Sequence, residues 1–425
     1  MTPGQSLKIV LKHALPPALF EKLLSAYHFL LAGIGALLYR FPSRRLLVVG
    51  VTGTKGKSSV TEMINAILEE AGHRTALINS IRIKIGDKSM RNASGRSMPG
   101  RFFIQRFLRR ALARKCTAAI LEMTSEGARQ HRHRFLDLNA LVFTNLAPEH
   151  IESHGSYEEY ADAKYSIGLQ LVRSHKRPRL LVANADDPES ARYLLLPVES
   201  AIPFSLSAQR PWTADERGGS FTFEGVQVPV QLPGEFSLRN ALAAAMLARA
   251  LGVHREVIAR ALDTLREIPG RAQRIEEGQA FTVVVDYAHT PDSLKALFEA
   301  YRSKRKICVV SATGGGRDKW KRPVMGKVAS EQCDVVIVTN EDPYDEDPRA
   351  IAEEVADGAA KAVIEIDRRT AIRRALAEAR PGDAVLITGK GTDSSIHGPA
   401  GSEIPWNDAA VVRDELKKVL QNKAQ

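Results

Sequence analysis

The stretch G-V-T-G-T-K-G-K-S-S, residues 50–59, decides the fold of this chain. A short apolar run at residues 46–50 leads into it and predicts a buried parallel strand, and the apolar spacing over residues 58–71 predicts a helix after it. A glycine-rich turn between strand and helix lets backbone N–H groups face inward around phosphate oxygens, and the helix N-terminus adds positive potential. Lys57 can then reach the outer phosphates, and the Ser58 hydroxyl can bind Mg²⁺.

This loop departs from the strict pattern G-x-x-x-x-G-K-[ST]. Val51 stands in the first glycine position, and Gly50 lies one residue earlier. The alternative is a glycine-rich turn that contains G-K-S by chance. The strand before the loop and the helix after it favour a phosphate loop.

Strand and helix patterns alternate along the chain, which predicts an α/β fold. We expect a central, P-loop ATPase-like, mostly parallel sheet domain over residues 46–269. The I-P-G at residues 268–270 breaks the pattern, and a smaller Rossmann-like α/β domain follows over residues 270–425. Short strands and turns at residues 200–231 predict an antiparallel appendage. The other predicted elements are strands at residues 118–121, 141–144, 180–183, 282–286, 307–311, 335–339 and 384–388, and helices at residues 157–167, 237–251 and 255–266.

The first 45 residues are expected to form an N-terminal helical segment. Residues 23–39 are nearly all apolar but are short for a membrane span of about 20 residues. Two interpretations stay open. The helix packs on the main body, or it lies at a membrane interface and is anchored by Arg40, Arg44 and Arg45.

Composition narrows the function classes. Lys plus Arg is 60 and Asp plus Glu is 49, so the net charge is +11, which fits anionic small substrates. The basic residues are scattered without aromatic interleaving, so no nucleic-acid partner is expected. The three cysteines, Cys116, Cys308 and Cys333, stand alone. This isolation argues against a disulfide framework or a zinc site and favours a reducing cytoplasm.

The T-G-T-x-G-K-S at residues 52–58 resembles the nucleotide loop of Mur ligases and folylpolyglutamate synthetases. In that superfamily ATP phosphorylates a substrate carboxylate, and an incoming amine displaces the phosphate. The resemblance therefore implies ATP and Mg²⁺ as cofactors. The loop residues that it implies for nucleotide binding are Gly53, Thr54, Gly56, Lys57, Ser58 and Ser59.

Two further motifs imply metal ligands. Glu122 ends a predicted strand in A-I-L-E-M-T-S, residues 119–125, at the sheet edge where α/β proteins bind ligands. This motif is similar to the family's E-x-[ST]-S, whose glutamate holds Mg²⁺. His150 lies in T-N-L-A-P-E-H-I-E-S-H-G, residues 144–155, which is similar to a family motif whose first histidine is a metal ligand. With Ser58, these residues form the expected metal site.

Lys164 lies in Y-A-D-A-K, residues 160–164, within a predicted helix. The resemblance implies that this lysine is carbamylated, so that a cation becomes a carboxylate-like anion that supports a second Mg²⁺. Lys57, Glu122, His150 and Lys164 are the expected catalytic residues. Spacing alone leaves open that Lys164 is an ordinary lysine on a helix face.

Motifs farther along the chain complete the implied nucleotide site. The resemblance places Asn240 at the adenine, Arg271 of P-G-R at the phosphates and Asp286 at the ribose hydroxyls. The D-Y-A-H-T-P at residues 286–291 and the G-G-G-R-D-K-W-K-R-P at residues 314–323 are similar to segments of the UDP-N-acetylmuramyl-tripeptide synthetase branch. The resemblance runs from Leu46 to about Leu420.

Three features depart from that branch. Its members carry a uridine-binding domain before the loop, whereas about 45 residues precede it here. E-D-P-Y at residues 341–344 stands where diaminopimelate-adding enzymes have D-N-P-R, and G-K-G-T-D at residues 389–393 replaces G-K-G-H-E. Because Tyr344 cannot replace the bidentate arginine, the amino acid that is added stays open.

We therefore expect a cytoplasmic ATP-dependent ligase that joins a UDP-muramyl-dipeptide-like carboxylate to an amino acid through an acyl phosphate. Its partners would be a nucleotide-linked muramyl peptide and an amino acid, with peripheral membrane contact through the N-terminal helix as an open alternative. A folylpolyglutamate-synthetase-like ligase and a non-catalytic nucleotide-binding subunit are the competing functions. The expected substrate residues are Ser97, Thr124, Ser125, Arg132, His289, Asp342, Tyr344, Gly389 and Asp393.

Overall fold

A computed structural model of the chain describes residues 16–149 and 151–424. Its first sheet has eight strands. They are β1 (Leu47–Thr52), β2 (Thr75–Ile78), β3 (Arg82–Ile85), β4 (Lys88–Arg91), β5 (Ala118–Glu122), β6 (Ala140–Phe143), β7 (Leu180–Asn184) and β8 (Ser200–Phe204). Their order in space is β4-β3-β2-β5-β1-β6-β7-β8, with β1 between β5 and β6. All pairs from β2 to β8 are parallel, and β3 and β4 add antiparallel edge strands.

Helices cover both faces of this sheet. They are α1 (Pro17–Leu38), α2 (Lys57–Glu70), α3 (Arg101–Ala113), α4 (Ser125–Arg129), α5 (Ile151–His154), α6 (Tyr157–Val172), α7 (Ser190–Leu194), α8 (Glu235–Ala250) and α9 (Arg255–Thr264). Alternate residues of β1 point to opposite faces, as the pleat requires. Val49 and Val51 join the core under α2 and α8, whereas Val48 joins the core under α3.

A second sheet of six strands follows. Its strands are β12 (Gln273–Arg274), β13 (Thr282–Val285), β14 (Lys306–Ser311), β15 (Val335–Thr339), β16 (Val363–Ile364) and β17 (Ala384–Ile387), in the order β12-β13-β17-β14-β15-β16. Only β12 is antiparallel. The helices around it are α10 (Pro291–Ala300), α11 (Lys321–Gln332), α12 (Pro348–Ala356), α13 (Arg368–Glu378) and α14 (Asp408–Ala424). The expected mixed α/β class, with two largely parallel sheets and an N-terminal helix, is confirmed.

The expectation for residues 200–231 was correct only in part. β9 (Trp212–Ala214), β10 (Gly219–Phe223) and β11 (Val226–Val230) form a separate antiparallel sheet. β8, however, pairs in parallel with β7 and extends the first sheet. A short pair, β18 (Ser395–His397) and β19 (Glu403–Pro405), lies before α14.

The expectation of three unpaired cysteines was wrong. Cys308 on β14 and Cys333, directly after α11, form a disulfide, and Cys116 is free and buried. Sequence spacing gave no sign of this pair, because the second sheet brings together residues that are 25 positions apart.

Candidate active site

The loop between β1 and α2 has the backbone shape that a phosphate cradle needs. Gly53 and Gly56 have φ values of +142° and +81°, in the region that favours glycine. A Cβ added at Gly53 would overlap Thr144 Oγ1, and one added at Gly56 would overlap Asn240 Oδ1. The loop is thus held closely between the end of β6 and α8, and the expected adenine residue Asn240 borders it.

Two buried lysines point into this loop without a carboxylate partner among the described residues. Lys57 Nζ donates to the Thr54 carbonyl at 2.8 Å, and Lys164 Nζ donates to the Gly53 carbonyl at 2.7 Å. Burial lowers the pKa of Lys57, and burial together with the nearby Lys57 charge lowers the pKa of Lys164 well below its usual value. Crowded, desolvated amines of this kind are stabilised by a bound anion.

A third lysine of the loop is partly compensated. Lys55 Nζ lies 3.1 Å from Glu149 Oε2. His289 Nε2 bonds to the other oxygen of Glu149 at 2.8 Å, and its Nδ1 faces the Tyr287 carbonyl at 2.7 Å. Both ring nitrogens of His289 therefore face an oxygen atom. This bridge joins the phosphate loop to the second sheet.

Hard oxygen donors converge beside the lysines. Ser58 Oγ donates to Glu122 Oε2 at 2.9 Å, and the Ser80 backbone N–H donates to the same oxygen at 3.0 Å. Arg271 Nη2 reaches Ser58 Oγ at 3.3 Å and Ser80 Oγ at 3.2 Å. A hydroxyl and a carboxylate at hydrogen-bond distance fit Mg²⁺ as ligands, and the arginine fits a phosphate beside it.

The expected metal set is only partly visible. No three His, Cys, Asp or Glu side chains within residues 16–149 and 151–424 form a cluster able to hold a metal ion. Ser58 and Glu122 come together, and Lys164 Nζ bonds to the Gly53 carbonyl of the same loop. His150 lies outside the described residues.

Asp286 follows β13, where the ribose is expected. Its Oδ2 accepts the Ala272 N–H at 2.5 Å and its Oδ1 accepts the Ala288 N–H at 2.6 Å, while burial raises its pKa. Asp286 therefore ties the strand end to the segment that carries Arg271.

The expected donor residues lie together on the first sheet. Thr124 caps α4 by accepting the Gly127 N–H at 3.1 Å, and Ser125 Oγ bonds to His154 Nε2 at 3.1 Å. Arg132 donates to the carbonyl of Met98, the residue after Ser97. The segment that carries Ser97 therefore packs against α4 and the residues that follow it.

The expected acceptor residues surround a buried lysine of a different kind. Lys390 Nζ lies 2.8 Å from both oxygens of Asp342 and 3.4 Å from Asp393 Oδ2. Burial alone would lower the pKa of Lys390, but Asp393 and Asp342 outweigh it and raise that pKa. Tyr344 stacks on His397 with a ring-centroid distance of 5.5 Å.

Gly389 comes directly before this lysine and supports the same loop. Its φ is +105°, and an added Cβ would overlap Ser311 Oγ. The acceptor residues are thus fixed against the carboxyl ends of β14 and β17.

The sequence and the fold of this chain were compared with those of known proteins. The sequence profile of the Mur ligase middle domain matches residues 51–248, and that of the Mur ligase glutamate ligase domain matches residues 270–391. The UDP-N-acetylmuramoyl-L-alanyl-D-glutamate–2,6-diaminopimelate ligase of Geobacillus kaustophilus is 36% identical over 398 residues, which cover 89% of this chain and 81% of that protein. The chain belongs to the Mur ligase family.

Other relatives agree with this assignment. A UDP-N-acetylmuramyl-tripeptide synthetase of a Roseiflexus species is 37% identical over 92% of this chain and 82% of its own length. A solved diaminopimelate ligase superposes with a TM-score of 0.60 at 26% identity, covering 88% of this chain and 78% of that chain. Folylpolyglutamate synthase of Mycobacterium tuberculosis, solved with ADP and AMPPCP, has a TM-score of 0.68 over 84% of this chain and 91% of that chain. Its identity is 18%, so this likeness concerns the fold.

Members of the Mur ligase family are ATP-dependent, ADP-forming ligases that make amide bonds in peptidoglycan precursor synthesis, and this chain is such an enzyme. The family uses ATP with Mg²⁺.

Sequence reasoning missed several residues at the ligase's centre. Ser80 follows β2 and lies outside the family-like sequence motifs, and only the fold brings it to Glu122. Arg91 on the edge strand β4 donates to the Thr392 and Asp393 carbonyls at 2.5 and 2.8 Å, and so links the first sheet to the acceptor loop. Glu149 lies directly before His150 in the motif at residues 144–155, and this position could have indicated that Glu149 belongs to the site.

Proposed function

We propose that this ligase joins the carboxylate of a nucleotide-linked muramyl dipeptide to an amino acid through an acyl phosphate. The observation that carries the proposal is the Ser58 hydroxyl, which Glu122 reaches from the first sheet and Arg271 reaches from the segment before β12. A phosphate and a cation bound there would meet charges from both halves of the molecule. The names of the similar proteins supply the donor and acceptor classes.

ATP would lie along the loop between β1 and α2, with Lys57 on its outer phosphates and Arg271 beside them. Asn240 would contact the adenine and Asp286 the ribose. The loop residues in this role are Gly53, Thr54, Gly56, Lys57, Ser58 and Ser59. Ser58, Glu122 and His150 would hold Mg²⁺, and a carbamylated Lys164 would support a second Mg²⁺. The metal would neutralise the crowded phosphate oxygens.

Lys164 has the chemistry that carbamylation needs. Only a neutral amine adds to carbon dioxide, and burial lowers the pKa of Lys164 toward that form. The resulting anion would be stabilised by Lys57, whose charge disfavours the protonated Lys164. An unmodified, protonated Lys164 would place two cations together at the loop.

The reaction has two steps. An oxygen of the donor carboxylate attacks the γ-phosphorus, and ADP leaves. The acceptor amine then attacks the acyl carbon, loses a proton, and expels phosphate with that carboxylate oxygen. Ser97, Thr124, Ser125 and Arg132 would hold the donor. The acceptor would lie among His289, Asp342, Tyr344, Gly389 and Asp393.

The domains would have separate roles in binding the substrates. Residues 46–269 would bind ATP and the donor, and residues 270–425 would close over them and present the acceptor. Residues 1–45 would form a helical segment of their own. We place the enzyme in the cytoplasm, with α1 in peripheral contact with the membrane.

The test is ADP release by the purified chain with each substrate omitted in turn. We expect release only when ATP, Mg²⁺, a UDP-muramyl dipeptide and a suitable amino acid are all present. Release with a folate and glutamate instead would assign the folylpolyglutamate-synthetase-like function. ATP binding without release under any combination would assign a non-catalytic subunit.

A further inference from the structure

Helix α1 exposes a continuous apolar stripe. Its members recur every three or four residues and so share one helix face. We call this set the α1 stripe: Leu19, Leu23, Tyr27, Leu30, Ile34 and Leu37. Leu30 is 63% exposed and Leu37 is 68% exposed. Most large apolar side chains that the described residues expose lie on this helix. A surface of this kind in a monomer marks an interaction site.

The other side of α1 is fixed to the first sheet's helices. A Cβ added at Gly33 would lie 3.3 Å from the Phe135 ring, and one at Gly35 would lie 3.4 Å from Phe102 on α3. Ser25 Oγ bonds to His131 Nε2 at 2.8 Å. The segment Leu19–Leu38 is long and apolar enough to cross a membrane. Because one side is docked along the domain, the helix fits a position in the membrane plane instead.

Charge around the stripe identifies the occupant. Arg40 and Arg45 are exposed directly after α1. On α3, exposed Arg106 and Arg109 follow Phe102 by four and seven residues, and so lie on the side of α3 that faces α1. Glu21 is the only acidic residue in α1, in α3 or between α1 and β1. Basic side chains bordering an apolar helix face complement an anionic lipid surface.

We propose that α1 lies in the plane of an anionic membrane surface, with the α1 stripe among the acyl chains and the bordering arginines on lipid headgroups. This deepens the membrane contact proposed above and rests on it. α1 packs on the segment that carries Arg132, so docking would place the donor side of the ligase beside the lipid surface.

The experiment is flotation of the full chain, without substrates, with phosphatidylcholine vesicles that contain or lack phosphatidylglycerol. We expect the wild type to float only with the anionic vesicles. Leu30→Asn with Ile34→Asn should reduce the bound fraction by about tenfold or more, because two large apolar side chains leave the interface. Leu195→Asn is the matched control, since Leu195 is 84% exposed far along the chain and should leave flotation unchanged.

The charge requirement has its own control. Arg106→Glu with Arg109→Glu should abolish the preference for anionic vesicles, whereas Arg302→Glu with Lys327→Glu, at exposed positions around the second sheet, should keep it. Equal flotation of the stripe variant and the wild type would overturn the proposal. So would a wild-type dimer in light scattering that the stripe variant dissociates, because the stripe would then bind a second copy. ADP release in vesicle-free buffer is measured separately, so loss of flotation with normal ligation refutes the membrane contact alone.

Discussion

Two regions of this ligase bury lysines, and the two sets of lysines differ in their hydrogen-bond partners and in the direction of their pKa shifts. At the phosphate loop, Lys57 and Lys164 bond to backbone carbonyls and face no carboxylate within ion-pair distance among the described residues, and burial lowers both pKa values. At the acceptor loop, Lys390 lies between Asp342 and Asp393, and its pKa is raised.

The difference separates buried amines that lack a counter-ion from an ion pair that is already neutralised. A buried cation without a counter-ion costs free energy, and the protein recovers it when an anion binds or when the amine changes its chemical form. A buried cation that is already neutralised mainly holds its loop in place. Burial of a lysine by itself therefore does not indicate function, and the identity of its partners does.

The largest effect should follow removal of the Lys57 charge. We expect Lys57→Ala to lower kcat by about 10⁴-fold while the fold stays intact, because the lysine would bind charge that moves during phosphoryl transfer. Steady-state ADP release measures kcat, and the thermal unfolding midpoint shows whether the fold is intact.

Lys176→Ala is the control for the Lys57 variant. Lys176 bonds to Asn139 at 2.7 Å, away from the loop, and burial lowers its pKa to about 8. Its turnover per folded molecule should be normal. Normal turnover in Lys57→Ala would instead remove the phosphate-loop assignment.

Lys164 sharpens the comparison, because its expected role is anionic. Lys164→Ala should lower kcat by about 10³-fold. Lys164→Glu should retain more activity than Lys164→Arg, since glutamate restores the negative charge without carbon dioxide. Bicarbonate depletion should slow the wild type but not the glutamate variant. If Lys164→Arg were active and Lys164→Glu were inactive, Lys164 would act as an unmodified cation.

The sequence predicted the parts of the fold in which local pattern and long-range packing agree. Residues 46–50 and 118–121 are short apolar runs, and they became adjacent central strands. The hairpin of β3 and β4 was not predicted, because Lys88–Arg91 is exposed and lacks an apolar face. The pairing of Cys308 with Cys333 depends on how α11 packs on β14, which spacing does not encode.

The site was predictable wherever one motif carried its own chemistry. Ser58 and Glu122 come from two separate motifs and lie 2.9 Å apart, and their roles at the metal stay a prediction. Contacts made between the two halves could not be foreseen, because they depend on how the sheets sit together. Arg91 at the acceptor loop and His289 on Glu149 are examples.

Breaking the neutralised pair should affect stability more than nucleotide binding. Lys390→Met leaves the buried Asp342 and the partly exposed Asp393 without their cation, so we expect the free energy of unfolding to fall by about 3 kcal/mol. Affinity for ADP should change little. Urea unfolding and calorimetry measure the two quantities.

The control for Lys390 is Lys417→Met, at a side chain that is 61% exposed, which should change stability by less than about 0.5 kcal/mol. If Lys390→Met lost affinity for ADP but kept full stability, Lys390 would act in ligand binding, as we propose for Lys57 and Lys164.

The smallest expected effect concerns a buried base away from both loops. Burial lowers the pKa of His133 to about 3 from its ordinary 6.5. Between these values the unfolded chain binds a proton that the folded chain does not, so the free energy of unfolding falls as the pH falls. From pH 7 to pH 5, the wild type should lose about 2 kcal/mol more than His133→Asn.

Urea titrations at the two pH values measure that difference, and His254→Asn, at an exposed position before α9, should behave as the wild type does. An identical pH dependence in His133→Asn would show that His133 does not stay neutral in the folded chain.

The most direct test of the ligase account follows one oxygen atom. A UDP-muramyl dipeptide labelled with ¹⁸O at both oxygens of its reacting carboxylate is turned over with ATP, Mg²⁺ and an accepted amino acid, and the released phosphate is analysed by mass spectrometry. Because the carboxylate attacks the γ-phosphorus and phosphate leaves from the acyl carbon, each product phosphate should carry one ¹⁸O. Unlabelled phosphate from labelled donor, with amide product formed, would contradict the acyl-phosphate route.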